Sequence, residues 1–271
     1  MNVLEKDILT LEEAAELFNV SVKTFIKLLK EERVPARKIG REWRFSRRAL
    51  IEWLSSGDSQ VYSSSETETR EFFNKVAPQW EELSKGYYDE SIKNKILELG
   101  ILDKKMRVVD LGSGDGYIAR SIAAFVEKVV AVDISAEMLK ELDKKAKQSG
   151  IANIQTVESD GQDVPLKDSS IDVVFANMYL HHIEEPEDAI REIHRLLKSG
   201  GMVFLTDFYE HANSELKEKM HDTWPGFKQS EIKKWFEKNG FGSVKVEKIT
   251  DELTNGGNNT LKVFALTAVK Q

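Results

Sequence analysis

Three features of the sequence predict an α/β fold. Apolar strand-like runs alternate with amphipathic helical stretches from residue 105 onward. A glycine-rich turn follows the first of those runs, and a Gly/Asn-rich turn separates the last two. Together they predict a mostly parallel seven-stranded sheet covered by helices, closing in a C-terminal antiparallel hairpin. A smaller helical unit precedes it, so the 271 residues divide into two domains.

In the N-terminal unit, Thr10 followed by Glu13 makes a capping box, and Leu11, Ala14, Ala15 and Phe18 follow helical spacing. Ser21 caps a second helix whose apolar positions are Val22, Phe25, Ile26 and Leu29. Two short helices around a tight turn give a helix-turn-helix outline. Ile39 to Phe45 then reads as a hairpin turning near Gly40 and Arg41, a wing with Trp43 and Phe45 in its core. Ser46 opens a third helix through Ala49, Leu50, Trp53 and Leu54. This unit spans residues 1–57, and the Ser-, Thr- and Glu-rich stretch 58–69 reads as a linker.

Strands are predicted at 106–111, 128–133, 154–158, 171–176 and 202–207, with helices near 116–126, 135–149, 186–198 and 229–239. Strands 242–249 and 260–269 flank the turn chemistry of Thr254 to Asn259 and form the hairpin.

The chain has no cysteine, which excludes disulfides, thiolate metal sites and a cysteine nucleophile. Its five histidines show no zinc-type spacing, so no metal is expected. No run of about 18 apolar residues exists and the N-terminus lacks a signal-peptide layout, so a cytoplasmic protein without a membrane span is expected. The net charge of −7 hides an asymmetry: residues 1–57 carry 11 Lys+Arg against 9 Asp+Glu, the remainder 28 against 37. Residues 20–48 alone carry 10 basic and 3 acidic side chains, a basic patch on an acidic chain.

The central signal is Val108 to Gly116, VVDLGSGDG: a buried strand, an acidic residue, then a glycine turn into a helix. Glycines let a ligand approach the backbone, outside the carboxyl ends of parallel strands. Tyr117 occupies the place of the third glycine of a dinucleotide fingerprint, and Asp110 would repel a pyrophosphate. A cationic ligand such as S-adenosylmethionine suits Asp110 better. Asp133 ends the second strand 23 positions later, where an acidic residue meets ribose hydroxyls. Asp160, after the third strand, is placed either to meet an adenine amino group or to close an Asx turn with Gly161.

From here the sequence resembles a known family. Residues 70–271 resemble class I S-adenosylmethionine-dependent methyltransferases of the quinone-biosynthesis branch, through VVDLGSGDG, VVAVDIS, ESDGQDVPL, IDVVFANMYLHHIEEPEDAIREIHRLLKSGG and MVFLTDF in order. The resemblance implies a Rossmann-like fold with a helical cap over 70–104. It implies that Asp110, Gly112, Ser113 and Gly114 hold the methionine part, Asp133 the ribose, and Asp160 and Gly161 the adenine. Ile134 and Met138 would pack on the ring, and Asn177 would line the pocket. The missing cysteine removes cytosine-C5 and thiol-dependent arsenic methyltransferases.

On the acceptor side, His181 and His182 follow the fourth strand and are candidates for a general base, or else for a structural pair. His221 and Trp224 lie in a turn that either fastens to the core or contributes to an acceptor pocket. Residues 72–90 resemble the same branch's cap, where Phe73, Trp80, Tyr87 and Tyr88 either exclude water or form core. After the fourth strand stands Asn177-Met178-Tyr179-Leu180 rather than the Pro-Pro-aromatic motif that holds a flipped base, which argues for a small-molecule acceptor over nucleic-acid methylation.

Residues 8–54 resemble the excisionase/MerR-like winged helix-turn-helix. That resemblance implies that Lys23, Thr24 and Lys27 enter a DNA major groove while Arg37, Lys38, Arg41 and Arg44 meet phosphates or the minor groove. One such module binds weakly alone, which points to a homodimer on double-stranded DNA. The alternative is a regulator that senses S-adenosylmethionine or its product with little turnover.

Overall fold

The computed structural model describes residues 6–31, 34–40, 42–56, 64–84, 90–213, 220–249, 253–254 and 260–271. The chain divides into two compact units, Met1–Ser64 and Ser65–Gln271.

In the smaller unit, β1 (Ile8–Leu9), α1 (Leu11–Leu17), α2 (Val22–Glu31), β2 (Arg37–Ile39), β3 (Glu42–Ser46) and α3 (Arg47–Ser56) follow in order. The Thr10 hydroxyl accepts from the Glu13 N–H while the Glu13 carboxylate accepts from the Thr10 N–H, which closes the capping box. Asn19 takes a left-handed φ of 54° in the turn between α1 and α2. Phe25, Phe45, Leu50 and Leu9 form the buried centre. The hairpin β2–β3 is present, and β3 also pairs with β1, a two-residue strand too short to give a pattern in the sequence. Trp43, read as wing core, is instead exposed, with the Lys38 ammonium 6.0 Å from its ring centroid. Trp43 and Phe45 share a face of β3, but Phe45 lies over the buried centre while Trp43 stands two residues nearer the hairpin turn, beyond that core.

The larger unit begins with a helix, α4 (Ser64–Val76), which covers 64–69 where the polar composition reads as linker. Short helices α5 (Trp80–Leu83) and α6 (Glu90–Glu98) follow. The sheet is then built from β4 (Arg107–Leu111), β5 (Lys128–Asp133), β6 (Ile154–Glu158), β7 (Ile171–Asn177), β8 (Leu197–Phe208), β9 (Phe241–Lys248) and β12 (Val263–Lys270). Helices α7 (Tyr117–Ile122), α8 (Ala136–Gln148), α9 (Pro186–Leu196) and α10 (Gln229–Lys238) connect them. Strands β10 (Leu253–Thr254) and β11 (Thr260–Leu261) extend the C-terminal hairpin, and its tip, 255–259, lies outside the described residues.

The seven strands run in the order β6-β5-β4-β7-β8-β12-β9. The first five are mutually parallel, and β12 lies antiparallel between β8 and β9. This is a Rossmann-like sheet with the expected hairpin. Its central strands β4, β5 and β7 bury both faces, as a parallel sheet under helices must. Val109, Leu111, Val130, Val132, Val174 and Ala176 face one core, and Val108, Val129, Ala131, Val173 and Phe175 face the other. Full burial of each such Val or Leu contributes about 1.5–3 kcal/mol. The order reverses between β4 and β7, so a crevice opens there at the carboxyl ends of the strands.

Candidate functional site

β4 delivers Asp110 to the carboxyl edge of the sheet. The residue is 1% exposed, and its Oδ2 accepts from the Ala119 N–H at 2.9 Å, satisfying an orphan donor in the first turn of α7. Burial drives its carboxyl up to about 8, against that hydrogen bond, with the neighbouring Asp133 adding to the rise. β5 delivers Asp133. Its Oδ2 accepts from Gly114 N–H at 2.8 Å and its Oδ1 from Ser135 N–H at 2.9 Å. Burial outweighs those bonds and raises it to about 6. Asp160, after β6, accepts from Gln162 N–H at 2.9 Å through Oδ1, so the Asx turn forms.

These carboxyls line one cavity at the switch point. All ten residues expected to hold a cofactor line it: Asp110, Gly112, Ser113, Gly114, Asp133, Ile134, Met138, Asp160, Gly161 and Asn177. Asn177 accepts from the Thr206 hydroxyl at 2.7 Å through its Oδ1.

Two of the glycines answer to a side chain of the protein itself. A Cβ at Gly112 would lie 2.5 Å from Tyr179 Cδ2, and one at Gly161 would lie 2.3 Å from Tyr179 Oη. The Tyr179 ring therefore packs across both turns, and its hydroxyl donates to the Asp160 carbonyl at 3.0 Å. Gly114 is different. The nearest atom to a Cβ there is Trp80 Nε1, at 3.5 Å, so its backbone is the open face of the loop.

Phe73 and Trp80 wall the cavity from the cap side, joined by Thr69. Their rings meet edge-on at 5.5 Å. Polar contacts fasten the cap beside the cavity. Asn74 Oδ1 accepts from Ser135 Oγ at 2.8 Å, and Lys145 bridges Asp115 at 2.5 Å and Glu81 at 2.7 Å. No local pattern announces Asn74, Lys145 or Tyr179. Tyr87 and Tyr88 lie outside the described residues.

The two histidines part company. His182 lines the cavity, with Phe73 edge-on at 5.1 Å. His181 does not reach it. His181 is 3% exposed and turns into the interior, its Nδ1 2.8 Å from Asp207 Oδ1 and its Nε2 3.5 Å from Asp222 Oδ1. A general-base role at the cavity is therefore removed from His181, because the one-turn 3-10 helix Leu180–His182 points adjacent side chains to different sides. Burial opposes charge on His181, but the two carboxylates prevail and raise it. Burial and the adjacent His181 hold His182 well below the ordinary range, so His182 is neutral.

His221 and Trp224 are also outside the cavity lining. Trp224 Nε1 donates to the Ile183 carbonyl at 2.9 Å, and His221 stacks on Phe72 at 5.6 Å. Trp224 fastens the 220–224 turn to the core, while His221 packs on the cap helix α4; neither side chain lines the cavity itself.

On the smaller unit, Arg37 and Lys38 are exposed on β2, while Arg44 is ion-paired with Glu42. Arg41 lies outside the described residues, and Lys23, Thr24 and Lys27 lie on α2.

Comparison with known proteins agrees with this architecture. Residues 109–205 match the family model described as a methyltransferase domain, and residues 8–58 match a helix-turn-helix domain. The chain is 31% identical over 161 residues to the ubiquinone/menaquinone biosynthesis C-methyltransferase UbiE of Ectopseudomonas mendocina, covering 57% of this chain and 62% of the relative. It is 28% identical over 138 residues to the uncharacterized methyltransferase YcgJ of Bacillus subtilis, covering 49% of this chain and 54% of that protein. The chain thus spans little more than half the length of these relatives. The crystal structure of YcgJ superposes with a TM-score of 0.57 at 18% identity, over 68% of this chain and 99% of that one. A phosphoethanolamine N-methyltransferase of Haemonchus contortus, solved with S-adenosylhomocysteine, gives 0.57 at 21% identity over 66% and 52%. Among the described residues no helix is long and apolar enough to cross a membrane.

Proposed function

We propose that the larger unit is an S-adenosylmethionine-dependent methyltransferase acting on a small molecule in the cytoplasm, and that the smaller unit binds double-stranded DNA. One observation carries the first part. Asp110, Asp133 and Asp160 stand at the carboxyl ends of three adjacent parallel strands and line a single cavity beside the open backbone of Gly114.

That donor set fits the cofactor. Buried carboxyls held above their ordinary pKa gain when a cation arrives, and the cofactor carries an ammonium and a sulfonium. When bound, it supplies a methyl group on an electrophilic sulfonium. The protein's part is placement: Asp110, Ser113 and Gly114 toward the methionine part, Asp133 toward the ribose, Asp160 and Gly161 toward the adenine, with Ile134 and Met138 against the ring. Phe73 and Trp80 exclude water from the transfer path. Orientation of two reactants supplies much of the acceleration in such a displacement. His182 is the histidine that meets an acceptor, and it serves as a base only for an acceptor that must lose a proton.

Calorimetry with S-adenosylmethionine and S-adenosylhomocysteine tests this reading. Absence of binding, or affinity unchanged by Asp133→Ala, overturns it. The helix-turn-helix unit favours a second reading, a regulator that senses cofactor with little turnover. Transfer of labelled methyl groups to a cellular metabolite pool separates the two, since a sensor labels nothing.

A further inference from the structure

Behind the cavity wall, a carboxylate is buried without a hydrogen-bond donor. Asp222 is 4% exposed, and neither of its carboxylate oxygens has a hydrogen-bond partner. Such a group is expensive to bury unless a positive charge sits against it. What faces it are two imidazole nitrogens: His181 Nε2 at 3.5 Å and His182 Nδ1 at 3.7 Å, both measured to Oδ1. Among the described residues, these three side chains form the one group whose ligand atoms all fall within 4.8 Å of one another.

We infer that His181 Nε2, His182 Nδ1 and Asp222 form a three-ligand site for a divalent transition ion of the zinc class. Spacing is the first argument. Bonds of about 2.0–2.1 Å at a tetrahedral centre put neighbouring ligand atoms roughly 3.3–3.4 Å apart. The separations of 3.5 and 3.7 Å are close to that, and longer than the usual N–H···O distance of about 2.9 Å. The second argument is the support behind His181. Its Nδ1 lies 2.8 Å from the fully buried Asp207, the carboxylate–histidine arrangement that fixes a tautomer with the lone pair on Nε2 and orients the ring toward a metal. A third is preorganisation. The Thr223 and Trp224 N–H groups both donate to the His181 carbonyl, at 3.0 and 2.9 Å, and pin Asp222 beside the histidine pair. His211, nearby, is not a ligand. Its Nδ1 accepts from the Asn213 N–H, which leaves the hydrogen of a neutral ring on Nε2.

Two imidazoles and one carboxylate, without sulfur, suit zinc, cobalt(II), nickel(II) or iron(II) rather than magnesium or calcium. Sequence spacing hides the site, because two ligands are adjacent and the third stands forty residues later. The consequence for the cavity is specific. His182 Nδ1 also faces the His221 carbonyl at 3.4 Å, a contact only a protonated Nδ1 makes; coordination would displace it and move the hydrogen to Nε2, so the ring would meet an acceptor as a hydrogen-bond donor and not as a base. That consequence rests on the proposed methyl transfer; the metal site itself does not.

The test uses the untagged full chain, stripped with chelator and exchanged into zinc or cobalt(II). We expect about one zinc per chain by elemental analysis, a raised thermal midpoint with zinc, and a visible ligand-field spectrum with cobalt. Asp222→Asn and His182→Gln should each weaken zinc binding at least tenfold in competition with an indicator, and Asp207→Asn about 10–100-fold. A wild-type chain that takes up no zinc overturns the inference and leaves a proton on His181 as the charge facing Asp222. Zinc bound as tightly by Asp222→Asn and His182→Gln overturns it too, since the ion then sits elsewhere. Because the wild-type measurement stands alone, a variant that fails to fold does not rescue the inference. Failure of cofactor binding leaves this result untouched.

Discussion

Gly161→Ala, combined with Tyr179→Phe, probes how the cavity floor is built. At position 161 an added Cβ meets Tyr179 Oη at 2.3 Å and Cζ at 3.1 Å, on a backbone with φ +82°. The left-handed backbone costs a non-glycine residue about 1–2 kcal/mol, and overpacking adds about 1–3 kcal/mol. Gly161→Ala should therefore destabilise the larger unit by roughly 2–5 kcal/mol, a large share of a typical stability of about 5–15 kcal/mol. Tyr179→Phe alone loses one hydrogen bond, to the Asp160 carbonyl, for about 0.5–1.5 kcal/mol. In the double variant the hydroxyl is gone, and about 1–2 kcal/mol of the overpacking cost should return as coupling, within the range for residues in contact. Gly112→Ala is the control. Its Cβ meets the ring at Cδ2 (2.5 Å) and Cγ (3.0 Å), atoms that phenylalanine keeps, so Tyr179→Phe should recover nothing there. Urea unfolding of the full chain, followed by circular dichroism through the larger unit's transition, measures all five variants. Equal additivity at both glycines would refute the packing account.

The other outcomes follow from the same geometry. Asp133→Ala removes the acceptor for the Gly114 and Ser135 N–H groups and should weaken S-adenosylmethionine binding about 10–100-fold by calorimetry, at about 1.5–3 kcal/mol per charge-assisted bond. Asp110 at about 8 and Asp133 at about 6 both sit above the ordinary 3.8, so the folded chain keeps protons that the unfolded chain has lost. Their contribution to stability is then full below about pH 4 and falls as pH rises through 6 and 8. Cofactor affinity should rise over the same window, and thermal scans should show the stability slope flattened by Asp110→Asn. On the smaller unit, Arg37→Ala should weaken DNA binding and lower the salt slope by about one, whereas Arg44→Ala, already paired with Glu42, should do less. Equal effects in a salt series would count against that difference.

Strand ends were readable from sequence because both faces of a parallel sheet are buried. VVDL and VVAVD carry the apolar run and its acidic terminus within a few residues. Tyr179 was not readable as a packing residue, since its partners Gly112 and Gly161 stand 67 and 18 positions upstream. The helix start at Ser64 is hidden in the sequence for a related reason. SSETET has a linker's composition, but Phe73 and Asn74 in the same helix are anchored against Trp80 and Ser135, and tertiary contact overrides local propensity. His181 and His182 show the limit most sharply. Adjacent letters suggested one role, and a single 3-10 turn plus Asp207, 26 residues away, gave them two.

The cap and the glycine loop are parts of one device. Trp80 stands over Gly114, and Lys145 ties Glu81 of the cap to Asp115 of the loop, while Asn74 holds Ser135, which donates its N–H to Asp133. Each tie is modest. Glu81 is 71% exposed, so its pair with Lys145 contributes about 0–1 kcal/mol, and the Asn74–Ser135 bond about 0.5–1.5 kcal/mol. The edge-on Phe73–His182 contact across the cavity adds about 0.5–1.5 kcal/mol beyond the area it buries. These polar and aromatic ties total only a few kcal/mol, which is small beside the burial of the sheet. Local opening of the cap therefore costs far less than unfolding, and it exposes the cavity without disturbing Asp110 or Asp133 on the strands. A ligand lying against Gly114 and Asp133 touches the groups that the cap grips. Occupancy should then steady the cap, and protection of the 66–82 amides from exchange should rise on cofactor binding while β4 and β5 stay unchanged.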